Sequence, residues 1–304
     1  MKTIDLFCGC GGMSLGFQKA GFDIIAAYDN WHPAVNVYRK NFAHPIYERD
    51  LAEESIANEI AQYAPDIIIG GPPCQDFSSA GYRDETLGRA ELSKCYADIV
   101  CTAKPKYFVM ENVTRIRVSK TYQYVYNTLK EAGYGLTEKI LDASLCGVPQ
   151  KRKRLFLIGC LNAHDGFLDE ILEKGLSSKP MSIYDYLGDK LGVEYYFRIP
   201  RSYNRRAIFS IYEPCVTIRG VDRPIPPNYK KHPRDPVEVG ELVRALTPKE
   251  RSYMQTFPES FKFEGTNTNV NQMIGNAVPV NLACYVANAI LNYDQSVKKE
   301  GDCH

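Results

Sequence analysis

Several features that would classify a protein at once are absent from this chain of 304 residues. No apolar run approaches the roughly 18 to 20 residues of a membrane-crossing helix. The longest, residues 66–69 and 154–161, have the length of buried strands. Glycine (22) and proline (18) are too sparse for a collagen-like or low-complexity chain. There are ten cysteines and no Cys-x-x-Cys, and the five histidines show neither His-x-x-x-His nor His-x-Glu spacing, so no structural zinc and no zinc-deaminase site is expected. The opening Met-Lys-Thr-Ile-Asp-Leu-Phe lacks the apolar stretch and cleavage site of a signal peptide, so free thiols in a reducing cytoplasm are expected. What remains, 44% hydrophobic and 24% charged, is globular composition, long enough for one large core and a smaller lobe.

Net charge is nearly absent as well, at +1, but it is unevenly spread. Residues 198–234 carry nine Lys or Arg against two acids, a local charge of +7 that leaves −6 on the remainder. A basic lobe on a mildly acidic body points to a polyanionic partner.

Along the first 160 residues, short β-branched runs (3–7, 24–28, 66–69, 107–110, 155–158) alternate with segments of helical period (34–41, 55–63, 92–102, 122–132). Such alternation predicts a doubly wound α/β fold with a mostly parallel sheet and a ligand beyond the carboxyl ends of its strands. From 177 to 236 the pattern breaks into proline- and aromatic-rich segments, including Arg223-Pro224-Ile225-Pro226-Pro227, and helical period returns over 276–291. The main domain is therefore expected to be discontinuous, 1–164 and 265–304, with a loop-rich domain inserted at 165–264.

The first strand runs into Cys8-Gly9-Cys10-Gly11-Gly12, where glycines let the backbone turn tightly and approach a ligand. Alone, this fits nicotinamide, flavin or S-adenosylmethionine; the Gly-x-Gly-Gly spacing differs from the Gly-x-Gly-x-x-Gly of dinucleotide binders, although Gly16 keeps that option open. Asp29, ending the second strand, is placed for ribose hydroxyls or for a turn. The third strand runs into Gly70-Gly71-Pro72-Pro73-Cys74-Gln75. Two prolines stiffen the exit, so Cys74 is held at the ligand-binding edge, as a nucleophile would be. Another strand delivers Glu111-Asn112-Val113 there, a carboxyl able to keep or share a proton. Finally, Gln150-Lys151-Arg152-Lys153-Arg154 sets two arginines at alternating spacing, on one face of a strand.

Taken in order with Gln272-Met273-Ile274-Gly275-Asn276-Ala277-Val278-Pro279, these motifs resemble the cytosine-5 DNA methyltransferases of bacterial type. Arg244-Ala245-Leu246-Thr247-Pro248-Lys249-Glu250 resembles the family segment that follows its variable target-recognition region, which corresponds to the inserted lobe. The resemblance implies a Rossmann-like methyltransferase fold, S-adenosylmethionine as cofactor with S-adenosylhomocysteine as product, no metal, and a target base rotated out of double-stranded DNA. It implies Cys74 as nucleophile toward cytosine C6, Glu111 at N3, Arg154 at O2, and Arg152 steadying the active-site loop or the target phosphate. Phe7 would lie against adenine, with the backbone of Gly9, Gly11 and Gly12, Asp29 on the ribose and Asp50 on the adenine amine. Asn30, Leu51 and Pro73 join that pocket, and Asn276 and Val278 close its methionine end. The family more often has glutamate at position 29; here Asn30 follows and Trp31 comes next, so which of the two meets adenine is open.

Residues 77–91 resemble the mobile loop that closes over the base, with Arg89 carried over from its pattern, and Gln75 sits beside the nucleophile. In the lobe, Arg219 and Arg223 are candidates for reading bases, and Lys230 and Lys231 for phosphates. The expected enzyme is a monomer without membrane attachment, serving restriction-modification or regulatory methylation. The related tRNA methyltransferase branch carries Pro-Phe-Thr-Arg after the nucleophile motif and a later Cys-Phe-Thr; here Asp76-Phe77-Ser78-Ser79 follows and no Cys-Phe-Thr occurs. A catalytically silent family member would not need Cys74, Glu111, Arg152 and Arg154 together, and a nicotinamide oxidoreductase would leave Cys74 and the basic lobe without a role.

Overall fold

The structure is a computed structural model that describes residues 1–73, 89–200, 205–240 and 242–301, with only the backbone of 89, 90, 300 and 301. The first half alternates strand and helix as expected: β1 (Lys2–Leu6), α1 (Gly12–Lys19), β2 (Asp23–Asp29), α2 (His32–Asn41), β3 (Ile46–Glu48), α3 (Ile56–Gln62), β4 (Ile67–Gly70), α4 (Arg89–Ala103) and β5 (Tyr107–Asn112). Next come α5 (Lys120–Glu131), β6 (Tyr134–Asp142), β7 (Gln150–Lys151) and β8 (Lys153–Leu161). The later elements are α6 (Asp169–Lys174), α7 (Ile183–Leu187), β9 (Tyr195–Phe197), β10 (Ile208–Ser210), β11 (Cys215–Val216), β12 (Val243–Ala245), α8 (Pro248–Met254), α9 (Asn267–Asn276) and α10 (Val280–Gly301).

Seven strands form one sheet in the order β3-β2-β1-β4-β5-β8-β6. Strands β3 to β5 pair in parallel; β8 runs antiparallel to both β5 and β6. The order reverses at β1, and a doubly wound sheet takes its ligand beyond the carboxyl ends of the strands at such a reversal, here β1 and β4.

Helices cover both faces, so the strands read as continuous apolar runs whose alternate residues serve different cores. Ile67, Ile69, Tyr107, Val109, Phe156 and Ile158 pack with Phe17 of α1 and Leu282, Val286 and Ile290 of α10. Their neighbours Ile68, Phe108, Met110, Leu155 and Leu157 pack with Ile60 of α3, Val100 of α4 and Val125 of α5. Gly16 lets α1 lie directly on α10: a Cβ there would come within 2.5 Å of Ala283 Cβ and of the Val280 carbonyl.

Three strands in the order β10-β9-β12 form a small sheet, and β11 pairs with β7 beside the main sheet. Ile183, Tyr196, Phe209, Cys215 and Ile218 share a core with Leu246, Met254, Val270 and Ile274, so α8 and α9 support the lobe. Phe167, Leu168 and Leu172 instead pack in the main core. Helical period was expected from residue 276, but Asn276 ends α9 and Pro279 restarts the chain as α10, because a proline is favoured at a helix's first turn and excluded from its interior. The stretch Asn267–Lys299 does reach the length and hydropathy of a membrane span, and 67% of its most apolar window is buried inside the protein.

Candidate active site

The first loop leaves β1 in a conformation that the sequence dictates. Phe7, Gly9 and Gly11 have φ of 56°, 55° and 94°. Gly11 has no alternative, since a Cβ would fall 2.3 Å from the ring of Phe42, which stacks on Tyr38. A Cβ on Gly12 would fall 2.3 Å from the Val278 carbonyl. The glycine loop and the Asn276–Val278 segment therefore meet, although about 260 residues of chain separate them. Asp29 ties the end of β2 to this loop: its Oδ2 accepts from Gly9 N (2.8 Å) and its Oδ1 from Trp31 N (2.8 Å). Burial raises its proton affinity, and the hydrogen bonds from Trp31, Gly9 and Asn30 pull the other way. Asn30 is exposed and Trp31 half-buried beside it. Past β3, Asp50 is exposed, with Oδ1 accepting from Ala52 N at 3.0 Å, and Leu51 is buried.

The second group lies where β4 and β5 end. Glu111 pairs across the sheet with Phe156, so Arg154, two residues along β8, shares its face as a diagonal neighbour. Arg154 Nε lies 2.9 Å from Glu111 Oε1 and both side chains are largely buried. Burial raises the proton affinity of the Glu111 carboxyl against the opposing charges of Arg154 and Arg152. The net direction is upward, so a protonated carboxyl is within reach nearer neutrality than for an exposed glutamate. Glu111 also touches the exit of β4, since a Cβ on Gly71 would lie 3.3 Å from its Oε2. Asn112 Nδ2 donates to the Pro72 carbonyl at 3.1 Å, fixing the segment that leads through Pro73 to the cysteine. Cys74 and Gln75, and residues 77–88 of the loop that follows, lie outside the described residues, as does the side chain of Arg89.

Arg152 falls in the break between β7 and β8 rather than on a strand face. It is 1% exposed, and its guanidinium donates to the carbonyls of Ile218, Gly275 and Ala277, each at 3.1 Å. Its charge still reaches Glu111. A neighbouring pair, unforeseen from the sequence, completes this joint: Gln150 accepts from Ile218 N and donates to Met254 O and Gln255 Oε1, while Gln255 donates to the Ile274 and Ala277 carbonyls. Gln150 opens the Gln-x-Arg-x-Arg motif, but the spacing does not show its partners, which lie 68 to 105 residues away.

In the lobe, a cavity of about 720 Å³ is lined by Lys151, Arg198, Arg205, Arg206, Arg219 and Arg234, with Thr217 and Phe209. Arg206 pairs with Glu213 and lies over the Phe209 ring. Arg219 lines this cavity and donates to Ile199 O at 2.6 Å. Arg223, Lys230 and Lys231 lie on the lobe's surface, the last 3.3 Å from Glu238. Lys151 precedes Arg152 in the chain, so the basic wall begins one residue from the Arg152 joint.

A reversed-order sheet with one antiparallel strand near its edge, a glycine loop at the reversal and a buried acid–arginine pair beside it define a methyltransferase fold. Solved structures agree on the fold: a putative DNA modification methyltransferase encoded within an E. coli prophage matches with TM-score 0.71 at 22% identity, covering 97% of this chain and 99% of that one. The S. pombe Dnmt2 methyltransferase matches with TM-score 0.72 at 18% identity, covering 96% and 98%. The model of the C-5 cytosine-specific DNA methylases matches residues 1–208 and 193–292, and the chain belongs to that family. It is 58% identical to the type II methyltransferase M.HindV of Haemophilus influenzae over 97% of this chain and 98% of that protein. It is 55% identical to M.HgiDI of Herpetosiphon aurantiacus over 96% and 95%. The protein is thus a DNA (cytosine-5)-methyltransferase.

Proposed function

We propose that the chain methylates cytosine in double-stranded DNA as a type II modification enzyme, with Cys74 as nucleophile, Glu111 as the acid at N3 and Arg154 at O2. The observation that carries this is the buried Glu111–Arg154 pair set against Gly71–Pro72, the segment that leads into Cys74. Cytosine C5 is a poor nucleophile. A Cys74 thiolate forming a bond to C6 while Glu111 gives its proton to N3 converts the ring to an enamine whose C5 carries the electron density. Arg154 orients Glu111 and offers a donor to O2, and a buried setting strengthens both interactions. After methylation, C5 loses its proton to solvent, the C6–S bond breaks and the N3 proton returns.

The glycine loop fits S-adenosylmethionine by its own geometry: at Gly12 a side chain would collide with Val278 O, and the Asp29 carboxylate lies beside the loop. That cofactor supplies an electrophilic methyl on a sulfonium. Phe7 and the adjoining Asn30, Trp31, Asp50 and Leu51 would take adenosine; Gly9, Gly11, Gly12, Pro73, Asn276 and Val278 would enclose the methionine end. Arg152 acts as a joint that holds the lobe to the catalytic edge.

We assign catalysis to 1–164 and 265–304, with the start of the 165–264 segment packed on that body through Phe167, Leu168 and Leu172, and target recognition to the lobe formed by the rest of 165–264, with Arg219, Arg223, Lys230, Lys231, Gln75 and Arg89 on the DNA side. A monomer working in the cytoplasm suits this reading. The test is DNA carrying 5-fluorocytosine at the target. Fluorine does not leave as a proton does, so a denaturation-resistant adduct requiring S-adenosylmethionine should accumulate and map to Cys74. Full methylation by Cys74→Ala would overturn the assignment.

A further inference from the structure

Beneath the glycine loop runs a hydrogen-bond chain that the reaction above does not use. Ser14 Oγ, in the first turn of α1, donates to Asp5 Oδ2 at 2.5 Å and lies 2.6 Å from Tyr38 Oη; Tyr38 Oη in turn lies 2.6 Å from His44 Nε2. Asp5 and Ser14 are fully enclosed, Tyr38 is buried and His44 is half-buried. The other carboxylate oxygen, Asp5 Oδ1, is buried and meets no hydrogen-bond partner among the described residues. The chain also underlies the loop directly, since Gly11 rests on the rings of Phe42 and Tyr38.

We propose that Asp5, Ser14, Tyr38 and His44 are positioning residues for the cofactor loop, which takes S-adenosylmethionine best when Asp5 is ionised, so that cofactor binding is coupled to a proton. With Asp5 ionised, every donor points one way: His44 Nε2–H to Tyr38, Tyr38 O–H to Ser14, Ser14 O–H to Asp5. Each hydroxyl then donates once and accepts once, and the last bond is charge-assisted, the stronger kind. A proton on Oδ1 has no acceptor and weakens the Ser14 bond. A proton on Oδ2 reverses the entire chain and leaves His44 protonated at Nδ1. Either change acts on the residue two positions from Gly12.

The groups around the chain favour such coupling. Burial raises Asp5 to about 7; the Ser14 hydrogen bonds oppose that shift and the nearby Asp29 charge adds to it. Cys8, Cys10, Tyr38 and Tyr96, the other titratable groups near it, are themselves raised by burial and carry no charge there near neutrality. At the far end, burial lowers His44 and Asp23 draws it back upward. Among the described residues, none of the groups named as acting on Asp5 is a cation. S-adenosylmethionine would bring one, its sulfonium, and a positive charge nearby favours ionised Asp5. By reciprocity, binding then expels a proton. S-adenosylhomocysteine has no sulfonium, so its binding should expel less. The chain would thereby favour substrate over product more strongly as pH rises through about 7.

The inference rests on the cofactor site assigned above, and calorimetry separates the two. S-adenosylmethionine and S-adenosylhomocysteine are titrated into the whole protein between about pH 6 and 8.5, in two buffers of different ionisation heat, which counts protons. The expected result is net proton release near pH 7 with S-adenosylmethionine, affinity falling by up to about tenfold per unit below pH 7, and a flatter profile with the product. Asp5→Asn should abolish the release. If that variant does not fold, Tyr38→Phe, which keeps the volume and cuts the chain from His44, should shift the midpoint of the affinity profile while the cofactor still binds at the alkaline end of the range. Binding that is flat with pH and releases no proton would overturn the proposal and leave the cofactor site standing. Release unchanged in both variants would assign the proton to Asp29 and overturn it equally. No binding at any pH would overturn the cofactor site, and the proposal with it.

Discussion

Glu111 and Arg152 show how far one side chain's chemistry can be read before its partners are known. Glu111 ends an apolar strand, and an acid at that edge already suggests proton chemistry; the structure adds burial that raises its proton affinity. If the protonated form works at N3, kcat should fall as pH rises through the Glu111 pKa, and that limb should vanish in Glu111→Gln. The variant should also be slower by about 10² or more, the usual scale for losing an acid–base group. Wild-type turnover in Glu111→Gln would place the proton source elsewhere. Arg152 was legible only as a cation near a strand, because its three carbonyl partners lie 66 to 125 residues away. Arg152→Met removes three hydrogen bonds from a buried cation and leaves acceptors unpaired, which should cost about 3 kcal/mol in urea unfolding. A variant of full stability that failed only in DNA binding would return Arg152 to the phosphate.

Among the elements, β1, β2, β4, β5 and β8 were legible because strands buried on both faces are continuous runs such as Ile67-Ile68-Ile69. The nine-residue β6 was not. It is an edge strand whose outer half, Glu138-Lys139-Ile140, is partly exposed and reads as polar surface. The end of α10 escaped the sequence too, since beyond Leu291 its apolar stripe narrows while one acid anchors it. Asp294 is 4% exposed and accepts from Lys106 at 2.6 Å and Tyr107 at 3.0 Å, with Lys298 2.8 Å away. Burial pushes its carboxyl up, but the hydrogen bonds from Lys106, Lys298 and Tyr107 outweigh that and hold it at about 2. A carboxyl depressed on folding contributes stability above its unfolded pKa, roughly 4, and loses it as pH falls toward about 2. Asp294→Asn should therefore cost about 1 to 2 kcal/mol at neutral pH, allowing for screening of the half-exposed Lys106, and nearly nothing at about pH 2. A cost that persists in acid would mean that Asp294 acts by packing alone.

For the molecule as a whole, the charge pattern showed which segment was basic, but the fold decides which of its cations face one place. Lys151 lies outside the 198–234 cluster and still lines the same cavity as Arg205, Arg206 and Arg234, because β11 pairs with β7 and brings the lobe against the catalytic edge. Lys230 and Lys231 belong to the cluster and do not line that cavity. If phosphates run through the cavity, neutralising one cation that meets a phosphate should reduce the slope of log K against log salt by about 0.9. Arg205→Gln with Arg234→Gln should then flatten the slope by about 1.8, while Lys230→Gln with Lys231→Gln should change it less. Neither pair should alter which sequence is methylated, since phosphate contacts position the duplex without reading it. Arg219 differs: its backbone is held by Gly275 and Arg251, so its side chain starts from a fixed point on the cavity wall. Arg219→Ala should relax sequence choice by about 1 to 3 kcal/mol, the worth of one bidentate base contact, with cofactor affinity unchanged. Filter binding across salt for the first two pairs, and base-resolution sequencing of methylated random DNA for the third variant, decide the matter. A slope lowered equally by both pairs would put the duplex across the outside of the lobe, and an Arg219→Ala enzyme with its sequence choice intact would move base reading to Arg223 or to the loop that follows Cys74.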